Sequence, residues 1–322
     1  MVERHSIVHP LNIQNNVNTI QPSSSQGYCA TIGFFDGVHN GHRYLIRQVN
    51  ELAQQRGLSS MVITFDSHPR EVLHSAFCPQ LLSTPEEKMA LLAKTGIQRP
   101  VMLPFTTELA ALSAREFMQQ VLREQWGVQV LVIGYDNRFG RNRSESFDDY
   151  VAYGKEMGIE VVHARPLQVE GLNISSSMVR SVLQEGEMQM AYTCLGYHYS
   201  LSGTVTHGEH VGTSLGYPTA NIQVADCRKL IPANGVYAVR AMIDGDGRWL
   251  QGMTNIGTRP TYGDHAIGIE THLFGYHNDL YGHELTVRFV QRLRDERKFH
   301  NTGELVRQLE RDALQAKTIL EQ

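Results

Sequence analysis

Near Glu187 the chain changes the period of its apolar residues, and that change limits the fold more than any single motif. Before it, short apolar runs alternate with stretches of helical spacing; after it come short strand-like runs divided by turn residues. In the first half the runs ending at Ile32 and over Ser60 to Phe65, Val101 to Leu103, Val128 to Ile133 and Ile159 to His163 read as strands. Arg43 to Gln55, Pro85 to Lys94 and Ala114 to Glu124 read as the helices between them. In the first of these Leu45, Ile46, Val49, Leu52 and Ala53 share a face, and Gly57 stands where a helix cap is expected. This alternation predicts a doubly wound parallel α/β sheet.

In the second half Tyr199 to Thr206, Val236 to Ile243, Trp249 to Asn255, Ile269 to Phe274 and Glu284 to Phe289 read as strands. Asp244-Gly245-Asp246-Gly247 is a hairpin turn among them. Repeated antiparallel strands predict a small closed β-barrel. Asn301, with Glu304 three residues on, opens a final helix whose Leu305, Val306, Leu309, Ala313, Ala316 and Leu320 form an apolar stripe for packing on that barrel. Two domains are therefore expected, residues 1–187 and 188–322, and a chain of 322 residues with 41% hydrophobic side chains is long enough for both cores.

The formal charge of −4, without any block of Lys or Arg, speaks against a nucleic-acid surface or an anionic membrane as partner and leaves small anionic substrates open. Cys29, Cys78, Cys194 and Cys227 stand singly, so they suggest neither a zinc site nor a disulfide framework and fit a reducing cytosol. Met1 to Gly27 has no apolar core of signal-peptide length, and no transmembrane run follows. A cytoplasmic protein is expected.

The motif Ala30 to His42 reads Ala-Thr-Ile-Gly-Phe-Phe-Asp-Gly-Val-His-Asn-Gly-His, a strand end, a turn and a helix start. A helix beginning near Gly41 puts His39 and His42 on one side, beside the backbone N–H groups that its first turn leaves free. Gly37 and Gly41 would let backbone approach a phosphate, and the positive end of the helix favours an anion. In open α/β sheets ligands bind at the carboxyl ends of the strands. Asp66-Ser67-His68-Pro69 follows the second strand, and Gly134 to Gly140, with Asp136, follows the fourth. Ser175-Ser176-Ser177-Met178-Val179-Arg180 reads as a capped helix start carrying a cation. Taken singly these are a cap, a turn acid and a loop histidine; their convergence on one sheet edge points to a nucleotide pocket. The chain has neither Gly-x-Gly-x-x-Gly nor Gly-x-x-x-x-Gly-Lys-Ser/Thr, which leaves phosphate handling to the imidazoles, as donors to an α-phosphate whose charge builds during nucleotidyl transfer. In the second half two loops, Gly208 to Ile222 with Gly-Tyr-Pro-Thr-Ala-Asn and Gly257 to Gly268 with Thr-Arg-Pro-Thr-Tyr-Gly, suit either phosphate wrapping or plain hairpin connection.

The stretches Gly33 to His42, Thr64 to Arg70, Gly134 to Arg143, Ser175 to Arg180, Gly216 to Asn221, Asn255 to Thr261, Ile269 to His272 and Arg294 to Phe299 occur in that order. Together, from Gly27 on, the chain resembles the bacterial bifunctional riboflavin kinase / FMN adenylyltransferase family, also called FAD synthetases. The resemblance implies that the barrel phosphorylates riboflavin with ATP to FMN and that the α/β half transfers AMP from ATP to FMN, giving FAD and pyrophosphate. Mg²⁺ is implied for both steps. It further implies that His39, His42 and His68 handle phosphate beside Gly33 and Gly41, that Asp136 lies near nucleotide and flavin, and that Ser176, Ser177 and Arg180 hold pyrophosphate. In the barrel it implies Thr219 and Asn221 as magnesium and ATP ligands, Gly212 at the nucleotide, Arg294 at the flavin, and Glu270 as the base that takes the ribityl hydroxyl proton. Phe34 stands where the family often has Asn, Asn137 where it often has Phe, and Thr213 where it often has Arg. Two rival readings are a barrel that is only a flavin-binding or regulatory module, and a class I aminoacyl-tRNA synthetase, whose Lys-Met-Ser-Lys-Ser-like loop is not found here.

Overall fold

The computed structural model describes residues 27–73, 79–135, 137–141, 143–169, 172–207, 212, 215–258 and 267–322. Strands β1 (Tyr28–Ile32), β2 (Ser59–Phe65), β3 (Arg99–Leu103), β4 (Val128–Ile133) and β5 (Glu160–His163) form a parallel sheet in the order β3-β2-β1-β4-β5. Both faces of β1 and β2 are covered, which is why these strands read as continuous apolar runs. On one face Ile46 and Val49 of α1 (Asn40–Arg56) and Leu92 of α3 (Pro85–Ala93) pack against Val62, Val130 and Val132. On the other lie α5 (Ala114–Phe117), a π-helical continuation over Met118–Gln125, and α6 (Phe147–Met157). The single helix expected over 114–124 is therefore two geometries in series. Two short helices, α2 (Pro69–Val72) and α4 (Thr107–Ala111), follow β2 and β3. Strand order reverses between β1 and β4, which opens a crevice at their carboxyl ends.

After the short antiparallel pair β6 (Gln168–Val169) and β7 (Leu172–Asn173) come α7 (Ser176–Glu185) and α8 (Met188–Leu195). Strands β8 (Ser200–Thr206), β9 (Ala220–Val224), β10 (Gly235–Ile243), β11 (Leu250–Thr258), β12 (Ile267–Leu273) and β13 (Glu284–Arg294) close a barrel in the order β10-β11-β12-β9-β8-β13. Strand β9 begins at Ala220, within the segment 208–222 that the sequence presents as a loop, and runs on to Val224; it pairs with β8 and β12 and completes the ring. The C-terminal helix Thr302–Leu320 starts at Asn301, whose side chain accepts the Glu304 N–H at 2.9 Å, and lays Ala316, Leu320, Leu309 and Ala313 on Ala238 and Met253. Val179 and Leu183 of α7 share one apolar cluster with Met188 and Leu195 of α8 and with Tyr237 and Phe289 of the barrel. The elements on either side of residue 187 thus pack together.

Candidate active sites

The turn after β1 is held in an uncommon backbone. Phe35 and Val38 have φ of 53° and 37°, left-handed values that cost a non-glycine residue energy and persist where the surroundings fix them. Here the buried Asp36 carboxylate fixes them, accepting the N–H groups of Leu82 and Ser83 at 3.0 Å each, while the Gly37 N–H donates to the Ser83 hydroxyl at 3.0 Å. The chain then enters α1 with His39 as its cap: His39 Nδ1 accepts the His42 N–H at 3.3 Å, so a neutral His39 ring carries its hydrogen on Nε2. The two imidazoles stack 3.6 Å apart. Burial, aided by Arg180, pushes the His39 pKa down to about 4, and burial followed by His39 pushes that of His42 well below its usual value. Both rings are therefore neutral near pH 7.

At the crevice mouth a cleft of about 410 Å³ is lined by Gly33, Phe34, His68, Asn137, Ser177 and Arg180, among others. His68 caps α2 through Nδ1, which accepts the Arg70 N–H at 3.1 Å, and its ring meets the Phe34 ring edge-on at 4.8 Å. Arg180 donates to the Asp36 carboxylate at 2.6 Å and to the Gln80 carbonyl at 2.7 Å, so its direction is fixed from two sides. Of the sequence-derived residues, the cleft lining brings together Gly33, His68, Ser177 and Arg180. His39, His42 and Gly41 sit outside that lining, at the start of α1, where a side chain on Gly41 would press on the Ile174 carbonyl at 3.1 Å and the His39 ring at 3.2 Å. Ser176 turns its hydroxyl to the Asp36 carbonyl at 3.1 Å. Gly37, expected to give a phosphate access, instead has φ 73° and lies against Leu82 and Leu195, so its small size serves packing. Asp136 lies outside the described residues.

Two residues here escaped the sequence reading. Asp36 stands inside the motif Ala30 to His42, where its residue type alone assigns it no role of its own. Lys88 is buried on the inward face of α3, one turn before Leu92; it donates to the Phe65 and Phe34 carbonyls at 2.6 and 3.1 Å and lies 4.0 Å over the Phe34 ring. Burial lowers its pKa to about 8. A lysine four residues before an inward leucine was the available signal.

A second cleft, of about 280 Å³, opens at the barrel and is lined by Gly212, Thr219, Asn255, Glu270 and Arg294, with Leu305 and Leu309 of the C-terminal helix. The strand register builds it. Glu270 on β12 lies between Asn221 on β9 and Asn255 on β11, and directly paired residues share a face of the sheet. The neighbouring pair Thr254 and Thr271 faces the other way and is buried, with its hydroxyls 2.8 Å apart. Thr219 immediately precedes β9, and a Cβ on Gly212 would fall 2.3 Å from the Tyr217 carbonyl and 3.3 Å from the Thr219 hydroxyl, so only glycine lets the loop come this close. Asn221 is buried and does not reach the cleft lining. Most donors of Arg294 are taken within the chain: Nε and Nη2 meet the buried Asp312 carboxylate at 2.9 and 2.8 Å, and Nη1 meets the Asp295 carbonyl at 2.9 Å. This arginine ties the C-terminal helix to β13 beside the cleft. Asn255 was missed as a site residue, because only the pairing of β11 with β12 sets it beside Glu270. Thr213 and residues 259–266 lie outside the described residues.

Among the described residues no group of three or more His, Cys, Asp or Glu could hold a metal ion, and no helix is long and apolar enough to cross a membrane. The oxygens of Thr219, Asn221 and Glu270 are the hard donors that suit Mg²⁺.

Residues 21–178 match a family model described as FAD synthetase, and residues 195–320 one described as riboflavin kinase. A bifunctional riboflavin kinase/FMN adenylyltransferase of Escherichia coli (strain K12) is 34% identical over 301 residues, 94% of this chain and 95% of its own. Its counterpart in Pseudomonas fluorescens is 37% identical over 295 residues, 91% and 93% of the two chains. A crystal structure of a Streptococcus pneumoniae protein described as a macrolide-efflux protein superimposes with a TM-score of 0.83 at 29% identity, over 91% of this chain and 95% of that one.

Proposed function

The chain belongs to the bifunctional riboflavin kinase/FMN adenylyltransferase family, and we propose how its two halves divide the work. The protein phosphorylates riboflavin with ATP to FMN and transfers AMP from ATP to FMN, giving FAD and pyrophosphate. Residues 1–187 carry the adenylyl transfer and residues 188–322 the phosphorylation. The observation that carries this division is the pair of separate clefts, one at the point where strand order reverses in the parallel sheet and one at the barrel.

At the start of α1, beside the first cleft, the neutral imidazoles of His39 and His42 donate hydrogen bonds to the α-phosphate as charge accumulates on it, and His68 does so from the cleft wall on the α2 side. Ser177 and Arg180, the latter held in line by Asp36, take the departing pyrophosphate. Buried Lys88 fixes the ends of β1 and β2 against each other through the Phe34 and Phe65 carbonyls. In the second cleft Glu270 accepts the proton of the attacking ribityl hydroxyl, with Asn255 beside it. Thr219 on the cleft lining would hold Mg²⁺, with the buried Asn221, paired with Glu270, as the second oxygen once it turns toward the cleft; when bound, the ion draws negative charge off the ATP phosphates. A cytoplasmic setting suits the unpaired Cys29, Cys194 and Cys227.

The test is to incubate the pure protein with riboflavin, ATP and Mg²⁺ and to separate the flavins. FMN followed by FAD is the expected outcome. FMN without FAD would remove the adenylyltransferase assignment, and no product would remove both.

A further inference from the structure

Besides contacts such as Tyr197 Oη to the Gly37 carbonyl and Asn40 to the Thr193 carbonyl, the barrel half meets the adenylyl-transfer half through residues 226–230. Its backbone forms a bridge with Leu81: the Leu81 N–H donates to the Arg228 carbonyl at 2.7 Å and the Leu230 N–H donates to the Leu81 carbonyl at 2.8 Å. Lys229, only 4% exposed, donates to the Leu82 carbonyl at 2.8 Å and pairs with Glu87 at the start of α3. Arg228 is braced by Asp226 at 2.8 Å and donates to both oxygens of Glu71 at 3.2 Å, three residues after His68. The strand-like strap that Leu81 belongs to, residues 80–83, also holds Arg180, which lines the first cleft. The Leu82 and Ser83 N–H groups hold the Asp36 carboxylate, and the Gln80 carbonyl accepts from Arg180, whose second partner is Asp36.

We propose that residues 226–230 of the kinase half are a positioning clamp for the adenylyltransferase site, holding the His68 helix and the strap that aims Arg180. A buried lysine is costly to keep unless it is paired and hydrogen-bonded, and the Lys229 ammonium donates to Leu82 and pairs with Glu87 of the other half, while lying 4.7 Å over the Tyr199 ring of its own. Without its charge the strap loses a fixed carbonyl, and the Asp36 and Arg180 pair loses the backbone that sets its direction. Positioning groups act steeply on group transfer, because displacements of an ångström matter at the reacting centre. The clamp rests on the reading of His68 and Arg180 as phosphate-handling groups.

The experiment uses full-length Lys229→Met, Arg228→Gln and Lys229→Arg proteins, each assayed for FAD formation from supplied FMN at varied ATP and for FMN formation from riboflavin. FAD formation should fall on the order of tenfold to a hundredfold in kcat/KM for Lys229→Met, mostly as a raised KM for ATP, and less for Arg228→Gln. Phosphorylation of riboflavin should stay within about twofold, since the barrel cleft lies elsewhere. Lys229→Arg, which keeps a cationic donor, should recover part of the loss. Glu71→Gln added to Arg228→Gln should cost no more than Arg228→Gln alone. Arg228 is more than a third exposed, so its variant carries the test should Lys229→Met fail to fold. Unchanged adenylylation in folded variants, while the wild type makes FAD, would overturn the clamp. So would a parallel fall of both activities and of the melting temperature, which would mark general destabilisation. A wild type that makes no FAD from FMN would instead overturn the underlying reading of the site.

Discussion

His39 makes the stability of the first half sensitive to acid in a calculable way. The ring is 4% exposed and caps α1, and its pKa falls from 6.5 to about 4 on folding, through burial first and Arg180 second. The unfolded chain therefore binds a proton that the folded chain refuses, and stability falls as pH drops from about 6.5 toward about 4. Integrated between pH 7 and pH 5, the linkage from this one ring amounts to ~2 kcal/mol. His42 and His68, both also lowered chiefly by burial, add to the same trend, so the contribution of His39 must be isolated by substitution. Asparagine is the right replacement, since it keeps a capping acceptor but does not titrate. Urea unfolding of wild type and His39→Asn at pH 7 and pH 5 should show the wild type losing ~2 kcal/mol more than the variant over that interval. Equal losses in the two proteins would refute the buried neutral imidazole.

Other outcomes follow from single contacts. Asp312→Ala strands the Arg294 guanidinium beside a buried helix face and should lower the stability of the barrel half by about 3 kcal/mol or more, read as a fall in its melting temperature. Thr219→Val keeps the shape but removes a hydroxyl, and should raise the Mg²⁺ concentration needed for FMN formation while leaving adenylylation of supplied FMN unchanged. Asn301→Ala removes the cap of the C-terminal helix and should cost about 1 kcal/mol in urea unfolding.

The sequence showed the parallel sheet because strands buried on both faces carry unbroken apolar runs, as in Ser60 to Phe65. It hid β9, whose five residues Ala-Asn-Ile-Gln-Val follow Gly-Tyr-Pro-Thr and take their strand form from β8 and β12 rather than from their own pattern. The histidines of the first site were legible, since a spacing of three on a helix start is local information. The Asp36 and Arg180 pair was not, because its members stand 144 positions apart, and neither was the contact of Lys229 with Leu82 across 147 positions. Glu270 could be singled out by family resemblance alone; Asn255 needed the register that pairs it with Glu270.

The central claim is that one chain holds two independent sites, and mixing single-site variants tests it most directly. His42→Ala should lower FAD formation on the order of tenfold to a thousandfold and spare FMN formation. Glu270→Gln should lower riboflavin phosphorylation about a hundredfold or more and spare adenylylation of supplied FMN. Riboflavin, ATP and Mg²⁺ given to an equal mixture of the two folded variants should then yield FAD well above the level of either alone, because FMN released by one reaches the other. If either substitution abolished both reactions in a folded protein, or if the mixture made no more FAD than its parts, two independent sites would be contradicted.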